Sequence, residues 1–424
     1  MFRSERVSAI LLVVAAVAGL SLANSPFGPA LNAAKHFSLT SWAPGFSIGH
    51  LITDGLLAVF FFIAAIELRH ELTHGELDSP QKALLPALAA VGGVVAPAVI
   101  YLALARGTEL AVGWPIPTAT DIAFALGILS LVGRALPGRV RALLLALAVL
   151  DDLIAIAIIA IFFTSTVNLV PLLLAVPVIV GFAWVSRLAL PRAASILALT
   201  LLGIAAWVLV AISGVHPTVA GVALGLTMGH RTAAAARHAI EPFSNAAILP
   251  LFAFAAALVV LPSVSLFALS PAFWAIIVAL PLGKLVGIVG GGMLGRTLTT
   301  RWAGTPSSAA APSQPATPTQ PAAPTQAADV GPPPIAGPAR EAPLPFGDLL
   351  VIASLGGIGF TVSLLMNELA FADRTTLAAE GTLAVILGSA LAAVIGIVIT
   401  LRRARHYGRI APTNTETSAA ATPG

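Results

Sequence analysis

The chain has 424 residues, of which 58% are hydrophobic and 9% are charged, with a formal net charge of +4 and a mean hydropathy of +0.97. A soluble domain carries about 25% charged residues, so this composition excludes an ordinary soluble protein and indicates one with many membrane spans. The chain contains no cysteine, which excludes disulfides, thiol catalysis and cysteine metal sites.

Apolar runs long enough to cross a bilayer occur twelve times along the chain. We therefore predict an all-α membrane protein with about 12 transmembrane helices. The first run follows Arg3 and Arg6 and resembles a signal peptide, but we interpret it as a retained helix because many spans follow it. The predicted spans are residues 7–23, 48–68, 84–105, 117–133, 139–163, 167–186, 194–212, 215–229, 244–262, 271–291, 347–368 and 377–400.

The basic residues predict the topology. If the N-terminus is cytoplasmic, 18 lysines and arginines fall on the inside and 3 on the outside, namely Lys35, Arg106 and Arg374. Because cytoplasmic loops carry an excess of basic residues, both termini are predicted to be cytoplasmic in a multi-pass plasma-membrane protein. The pI near 10.1 therefore reflects topology and does not indicate a nucleic-acid partner.

Span four begins GWPIPTATDIAFALG, with Pro115 and Pro117 just before Asp121. Proline removes a backbone donor, and backbone groups freed in lipid must be satisfied within the protein or at a water-lined cavity. The pattern favours an interrupted helix at a transport site, and an ordinary proline kink is the alternative.

Span five carries Asp151 and Asp152, the only charges between Ala142 and Phe163. One carboxylate near the middle of a membrane helix costs roughly 2.5–3.5 kcal/mol, so the pair predicts a functional site. Neighbouring residues on a helix project about 100° apart, so one aspartate can line a cavity while the other meets a partner. Carboxylate oxygens bind hard cations or protons, and competition between the two is a minimal mechanism for antiport.

We single out three other ionisable residues within spans or at their starts. For Asp54 a structural or entrance role is favoured over ion binding. His216 is interpreted either as a polar residue at a helix cap or as a pH-responsive group. Lys284 could pair with one aspartate, offset helix-end dipoles, or belong to a purely structural pair.

Residues 303–345 are rich in proline, alanine and threonine, and we predict a disordered cytoplasmic linker there. It separates transmembrane helices 1–10, in residues 1–302, from helices 11 and 12, in residues 346–402. Residues 403–424 are predicted to be a disordered cytoplasmic tail. Span eleven, VIASLGGIGFTVSLLM, contains Gly356, Gly357 and Gly359. It matches span four as the second member of a possible three-helix repeat, spans 3–5 and 10–12.

These motifs resemble those of the NhaA-type sodium/proton antiporters. The matching stretches are FFFIAAIELRHEL, GWPIPTATDIAFALGIL, LALAVLDDLIAIAIIAIFFTS, SGVHPTVAGVALG, ILPLFAFA, GKLVGI and GGIGFTVSLL. The resemblance implies inverted repeats in which interrupted helices 4 and 11 cross. It also implies electrogenic, pH-regulated exchange of internal Na⁺ or Li⁺ for external H⁺ by alternating access, without a cofactor, and a possible homodimer through residues 24–47.

The resemblance also implies residue roles. Asp151 and Asp152 would bind Na⁺ and carry protons, with Asp152 the main ion ligand and Asp151 a proton-linked partner of Lys284. Thr120 and Asp121 would lie at the helix crossing, with Lys284 opposite.

The pH response would belong to Glu67 and Glu71 at the cytoplasmic entrance and to His216. The chain departs from the family pattern at this entrance, with His70 in place of an arginine and with Glu241–Pro242, preceded by Arg237, in place of a His-Pro with a nearby acidic residue.

An intramembrane enzyme that uses buried aspartates is the rival interpretation. Aspartyl proteases of the membrane need Tyr-Asp and Gly-x-Gly-Asp contexts, and neither occurs. Membrane prenyltransferases use paired Asp-rich motifs near the aqueous face, whereas this chain has a single Asp-Asp in mid-span. The sequence therefore favours a transporter over an enzyme.

Overall fold

The fold is a bundle of apolar helices, because a backbone in lipid must satisfy its hydrogen bonds within each helix. The computed structural model describes residues 5–38, 47–75, 77–164, 167–261, 268–303 and 344–410. In these ranges nine helical segments and one bent pair are long and apolar enough to cross a membrane, and two further apolar helices are shorter. Each of the twelve predicted spans has a counterpart among them, which confirms the predicted fold class.

The helices include three long ones that contain a π-helical turn at Leu51–Leu56, Ser244–Ile248 or Ala279–Gly283. In chain order the α-helices are α1 (Glu5–Ala23), α2 (Gly28–Lys35), α3 (Ile48–His50), α4 (Leu57–His74), α5 (Pro80–Leu104), α6 (Thr108–Ala111), α7 (Ile122–Val132), α8 (Gly138–Phe162), α9 (Leu169–Val185), α10 (Arg192–Ile212), α11 (Thr218–Thr227), α12 (His230–Phe243), α13 (Leu249–Ala256), α14 (Pro271–Val278), α15 (Lys284–Ala303), α16 (Phe346–Gly356), α17 (Phe360–Ala370) and α18 (Thr375–Ile410).

Contacts between distant residues are consistent with the predicted topology. At the predicted outer end, Lys35 pairs with Glu368 at 3.3 Å and Arg374 pairs with Glu109 at 3.4 Å. At the predicted inner end, Arg6 donates to the carbonyl oxygen of Ser130 at 2.6 Å. Residues that the topology places on one side therefore meet one another.

The two predicted three-helix repeats pack as an inverted pair. The first members, α5 and α15, touch backbone to backbone, since a Cβ atom at Gly287 would overlap the carbonyl oxygen of Gly92 and one at Gly291 would overlap that of Leu88. Small residues allow this close approach of helices in membranes. The other helices also pack across the two repeats. Helix α8 of the first repeat packs against α16 of the second, and α18 of the second repeat packs against α7 of the first.

Two boundaries differ from the sequence prediction. The last helix continues to Ile410, so residues 403–410 are helical and do not belong to a disordered tail. The ninth spanning helix begins at His230, well before residue 244, because the amphipathic α12 precedes its apolar part. The predicted linker, apart from Ala303, Leu344 and Pro345, and the tail from residue 411 lie outside the described residues.

Candidate ion site at the crossing of two interrupted helices

Both predicted interruptions are present. In span four a 3-10 turn at Ile116–Thr118 is followed by extended backbone at Ala119, and α7 starts only after Asp121. In span eleven α16 ends at Gly356 and α17 starts at Phe360, with a bend of 45° between them. Residues 119–121 and 357–359 therefore leave backbone groups without partners in their own helices.

The non-helical segments of the two interrupted helices supply hydrogen-bond partners to each other. The backbone N–H of Asp121 donates to the carbonyl oxygen of Ile358 at 2.6 Å. The hydroxyl of Thr120 donates to the carbonyl oxygen of Gly356 at 2.8 Å. Non-helical backbone at membrane depth is tolerated where protein buries it, and here each interrupted helix supplies the partners of the other.

The Asp121 carboxylate caps the starts of two half-helices. Its Oδ1 accepts from the backbone N–H of Phe124 in α7 at 2.9 Å. Its Oδ2 accepts from the backbone N–H and the hydroxyl of Thr361 in α17, at 3.2 and 2.8 Å. Helix N-termini carry partial positive charge, so one buried carboxylate offsets both.

Lys284 lies opposite, at the start of α15, and its side chain is buried. Its Nζ donates to Asp151 Oδ2 at 2.7 Å and to the hydroxyl of Thr120 at 3.0 Å. Because Thr120 in turn donates to Gly356, the ammonium group acts on the negative C-terminal end of α16. Lys284 is therefore both the partner of one aspartate and a compensator of a helix end.

Asp151 and Asp152 are both buried, and they face different surroundings, as helical geometry requires. Asp151 meets Lys284, whereas Asp152 lines a cavity of about 210 Å³. Within the described residues, neither Asp151 Oδ1 nor Asp152 Oδ1 has a hydrogen-bond partner. Buried oxygens of this kind can accept a proton or coordinate a cation.

The Asp152 cavity runs toward the predicted inner end of the bundle. Its charged lining there consists of Glu67, Arg141, Arg237 and Glu241. Asp152 and Arg141 lie about 16 Å apart along α8, from a rise of about 1.5 Å per residue. The cavity thus connects the buried carboxylate with a charged rim.

The predicted pH-response residues fall into two groups at opposite ends. Glu67 accepts from Arg237 at 2.8 Å at the inner rim, and Glu71 lies one turn further along α4, where its side chain is buried. His216 lies just before α11, with Nε2 at 3.6 Å from Asp54 and Nδ1 at 2.7 Å from the Thr218 hydroxyl. The fold therefore separates His216 from the two glutamates.

Thr361, Asp348 and Glu380 are among the buried polar residues that sequence reasoning missed. Thr361 follows the glycine-rich break directly, so its place after GGIGF could have identified it. Asp348 is fully buried between Arg403 Nε at 2.7 Å and Arg139 Nη2 at 3.3 Å, and Glu380 accepts from the Ser270 N–H at 2.9 Å. Both acids lie in predicted spans, where a buried charge itself signals a partner.

The arrangement is suited to binding either a cation or protons in turn. The site holds two carboxylates, one ammonium group and a crossing of half-helices, and a cavity reaches it from one end. A cation or protons can occupy the same buried oxygens but not both well, so binding of one favours release of the other.

The chain is also similar to known proteins. A family model described as Na⁺/H⁺ antiporter 1 matches residues 1–311 and 339–400. A protein named Na(+)/H(+) antiporter NhaA 2, from Clavibacter michiganensis subsp. michiganensis, is 48% identical over 421 residues, covering 97% of this chain and 94% of that protein. Proteins named Na(+)/H(+) antiporter NhaA are similar as well. The one from Tropheryma whipplei is 41% identical, covering 94% of both chains, and the one from Vibrio campbellii is 37% identical, covering 94% of this chain and 93% of that protein.

Proposed function

Because this chain belongs to the Na⁺/H⁺ antiporter 1 family, we propose that it exchanges intracellular Na⁺ or Li⁺ for extracellular H⁺ across the plasma membrane by alternating access. The relatives are named as transporters and not as enzymes, so the alternative of an intramembrane aspartate enzyme has no support from them. The transported ions are the substrates.

One observation carries the proposal: Asp152 lies buried at the deep end of a cavity, away from its charged rim, and beside a second carboxylate that is already paired with Lys284. Asp152 is therefore the main ligand for the entering cation. The unpaired Oδ1 of Asp151 is within the same helix turn and can join it when the Lys284 contact loosens. Protons that reach either carboxylate displace the cation.

The crossing supplies the element that moves. Half-helices joined by short non-helical segments can change angle without breaking their own hydrogen-bond ladders, and Thr120 and Asp121 hold the two breaks together. Occupancy of Asp151 and Asp152 thus acts on the groups that fix the crossing, through Lys284 and Thr120.

The pH response is assigned to Glu67 and Glu71 at the inner rim and to His216 at the opposite end. Glu67 supports this best, because its ion pair with Arg237 lines the route to Asp152. A change in the charge of this pair alters the local attraction for a cation at the rim.

The test is sodium-driven proton movement in everted vesicles or proteoliposomes. Sodium added to the outside should dissipate an acid-inside gradient, and Asp152→Asn should abolish the response because it removes the charge that binds the cation. Asp373→Asn, at an exposed carboxylate far from the site, is the matched control and should exchange normally.

Direct competition adds a second readout. The apparent affinity for sodium should fall as the pH is lowered, because protons occupy the same oxygens. Full exchange by Asp152→Asn would show that the site is wrongly assigned, and a pH-independent affinity would reject direct competition.

A further inference from the structure

Three histidines lie together at the predicted inner end of the bundle. His70 and His74 are near the end of α4, and His230 is the first residue of α12. The ring centres of His70 and His74 are 5.9 Å apart. The ring centre of His230 lies 6.4 Å from that of His70 and 4.9 Å from that of His74. We call these three residues the histidine cluster.

The first two histidines belong to a metal-binding motif. Residues 70–74 read His-Glu-Leu-Thr-His, which is the H-E-x-x-H pattern. Its two histidines are four residues apart, so on a helix they project from one face and can bind the same metal ion. The pattern is too short to define a site by itself. Here, however, a different helix places a third imidazole, that of His230, beside both.

The spacing of the three rings fits one metal ion. A zinc–nitrogen bond is about 2.0–2.1 Å long, so two imidazoles on one tetrahedral ion have ring centres about 5 Å apart. The three separations in the cluster, 4.9, 5.9 and 6.4 Å, are close to this value. The helix backbones therefore already place the rings at a suitable distance for shared coordination.

Only side-chain rotation separates this arrangement from a metal site. The rings now stack, with interplanar angles of 15°, 25° and 35°. In the described part of the chain, no three histidine or acidic side chains already surround a metal position. All three residues of the histidine cluster are exposed, so their rings can turn toward one ion without loss of buried contacts.

One ring nitrogen of the cluster is already prepared for such a bond. The Thr73 hydroxyl donates to the carbonyl oxygen of Arg69 at 2.8 Å, and it lies 2.7 Å from Nδ1 of His74. Because the hydroxyl proton is directed to the carbonyl, the hydroxyl oxygen accepts from Nδ1–H. Nε2 of His74 is then unprotonated and can bind a metal, and ligating histidines are commonly oriented in this way.

The two helices that carry the cluster are fixed to each other. Arg69 Nη1 donates to the carbonyl oxygens of Leu226, at 3.0 Å, and Met228, which holds the chain just before α12 against α4. The contact between Arg237 and Glu67, at 2.8 Å, joins the same two helices again. Ligands on elements that are already fixed lose less conformational freedom when they bind an ion.

The glutamate of the motif does not complete a peptidase. In metalloproteases with this pattern, the glutamate is the general base. Here Glu71 is buried and its carboxylate folds over Gly75, where an added Cβ atom would overlap it. The cluster is therefore suited to holding a metal ion and not to hydrolysis.

We propose that the histidine cluster binds a divalent transition-metal ion such as Zn²⁺, with His70, His74 and His230 as its ligands. Neutral imidazole nitrogens suit zinc, copper and nickel ions. Three protein ligands leave one tetrahedral position on zinc, which water can fill.

The ion has a consequence for transport that rests on the exchange proposed above. His70 and His230 line a cavity of about 330 Å³. The wall of this cavity also includes Arg237 and Glu241, which belong to the charged rim of the Asp152 cavity as well. Two added positive charges at this shared wall lower the attraction of the rim for an entering cation.

Metal binding is measured first, without transport. The full chain, purified in detergent without a polyhistidine tag, is titrated with Zn²⁺ in a calorimeter, and wild type should bind one ion per chain. His230→Gln should weaken binding at least about tenfold, because loss of a ligand costs no less than loss of a group that orients one, about 10–100-fold. His70→Gln with His74→Gln should abolish binding of this ion. These side chains are exposed, so the variants should melt like wild type without metal.

The control removes a histidine from the same cavity wall. His238 is exposed and lines that cavity, but it lies about 12 Å beyond His230 along α12. His238→Gln should therefore bind Zn²⁺ as wild type does. Wild-type affinity in His230→Gln would overturn the assigned ligands, and so would an equal loss in His238→Gln. A wild-type chain that binds no stoichiometric Zn²⁺ would overturn the site itself.

Transport supplies the second arm, in everted vesicles whose outer surface carries the predicted inner end of the protein. Micromolar Zn²⁺ should raise the sodium concentration for half-maximal exchange about twofold in wild type and in His238→Gln, but not in His230→Gln. A chelator should reverse the change. Zinc binding without any change in the sodium response would overturn the link to the rim. Absence of exchange in all vesicles would contradict the proposed function and leave the calorimetric result standing.

Discussion

Asp151 and Asp152 are neighbours in the chain, yet their carboxylates meet different groups. Asp151 forms a buried ion pair with Lys284 at 2.7 Å, whereas Asp152 faces a cavity. A buried pair gains little net stability over an apolar pair, but loss of one partner leaves an uncompensated charge. The ion pair therefore holds Asp151 in place and leaves Asp152 available to bind a cation or a proton.

A double-mutant cycle tests this pair. Lys284→Gln should lower the free energy of unfolding by about 3–5 kcal/mol, since Asp151 stays buried and unpaired. Adding Asp151→Asn should restore part of the loss, because both charges are then absent. Apparent melting temperatures in detergent measure the effect.

The exposed pair Lys82–Asp78, at 3.0 Å, is the control for the cycle. Lys82→Gln should change stability by only about 0–1 kcal/mol, because solvent screens such pairs. A double variant of Lys284 and Asp151 that is less stable than either single variant would contradict the pairing argument.

At the scale of elements, the two interrupted helices depend on each other. Each break leaves helix ends in the bundle interior, where unpaired backbone groups are costly. Asp121 serves the N-termini of α7 and α17, and Lys284 acts through Thr120 on the C-terminus of α16. The crossing is thus held by opposite charges placed at opposite helix ends.

Removal of the shared cap should affect stability and transport together. Asp121→Ala removes acceptors from both half-helices and should cost at least twice the loss of one cap, itself about 0.5–2 kcal/mol. Melting temperature and sodium exchange are measured on the same preparation.

Asn168→Ala is the control for the shared cap, because Asn168 caps only α9, through the Val170 N–H at 3.2 Å. This variant should lose only the stability that one helix cap contributes, and its affinity for sodium should not change. An Asp121→Ala variant with the stability of Asn168→Ala and normal exchange would refute a role for Asp121 at the crossing.

The end of α18 makes a separate prediction. Arg403 and Tyr407 both bind Asp348, the latter through its hydroxyl at 2.8 Å. A chain that stops after Arg402 leaves this buried carboxylate to Arg139 and should lose on the order of 3 kcal/mol.

Two further variants isolate the cause of that loss. A chain that stops after Ile410 keeps both partners and should melt like the full chain. Asp348→Asn in the shorter chain should regain stability, because no buried charge then remains. Equal melting of all these chains would show that the residues after Arg402 are dispensable.

At the scale of the whole molecule, the parts that local sequence determines were predictable. Span number and the positions of both breaks follow from apolar runs, prolines and glycines, which act within a few residues. The contacts that shape the site join distant positions, such as Arg237 and Glu67, which are 170 residues apart. No local pattern contains such a pairing. The helix at 403–410 was also missed, because its basic residues resemble a solvated tail until Asp348 is seen beneath them.

The charge balance of the site predicts that exchange carries current. With both aspartates protonated, Lys284 gives the site one positive charge more than it has with sodium bound and both aspartates ionised. Each cycle should therefore move net positive charge in the direction of the protons. In proteoliposomes with valinomycin and a potassium gradient, a potential that is negative on the side receiving protons should accelerate exchange several-fold. A rate independent of the potential would indicate electroneutral exchange.

The glycine contact between α5 and α15 has a mechanical consequence. Because Gly287 and Gly291 bring the backbones together with no side chains between them, these helices have no deformable layer along which to slide. Lys284 lies one turn before Gly287 on the same helix, so its ammonium group is carried by this rigid, closely packed helix pair. We therefore expect any rocking motion to pivot at this helix pair. Asp151 and Asp152 would then move toward and away from a stationary Lys284 ammonium group.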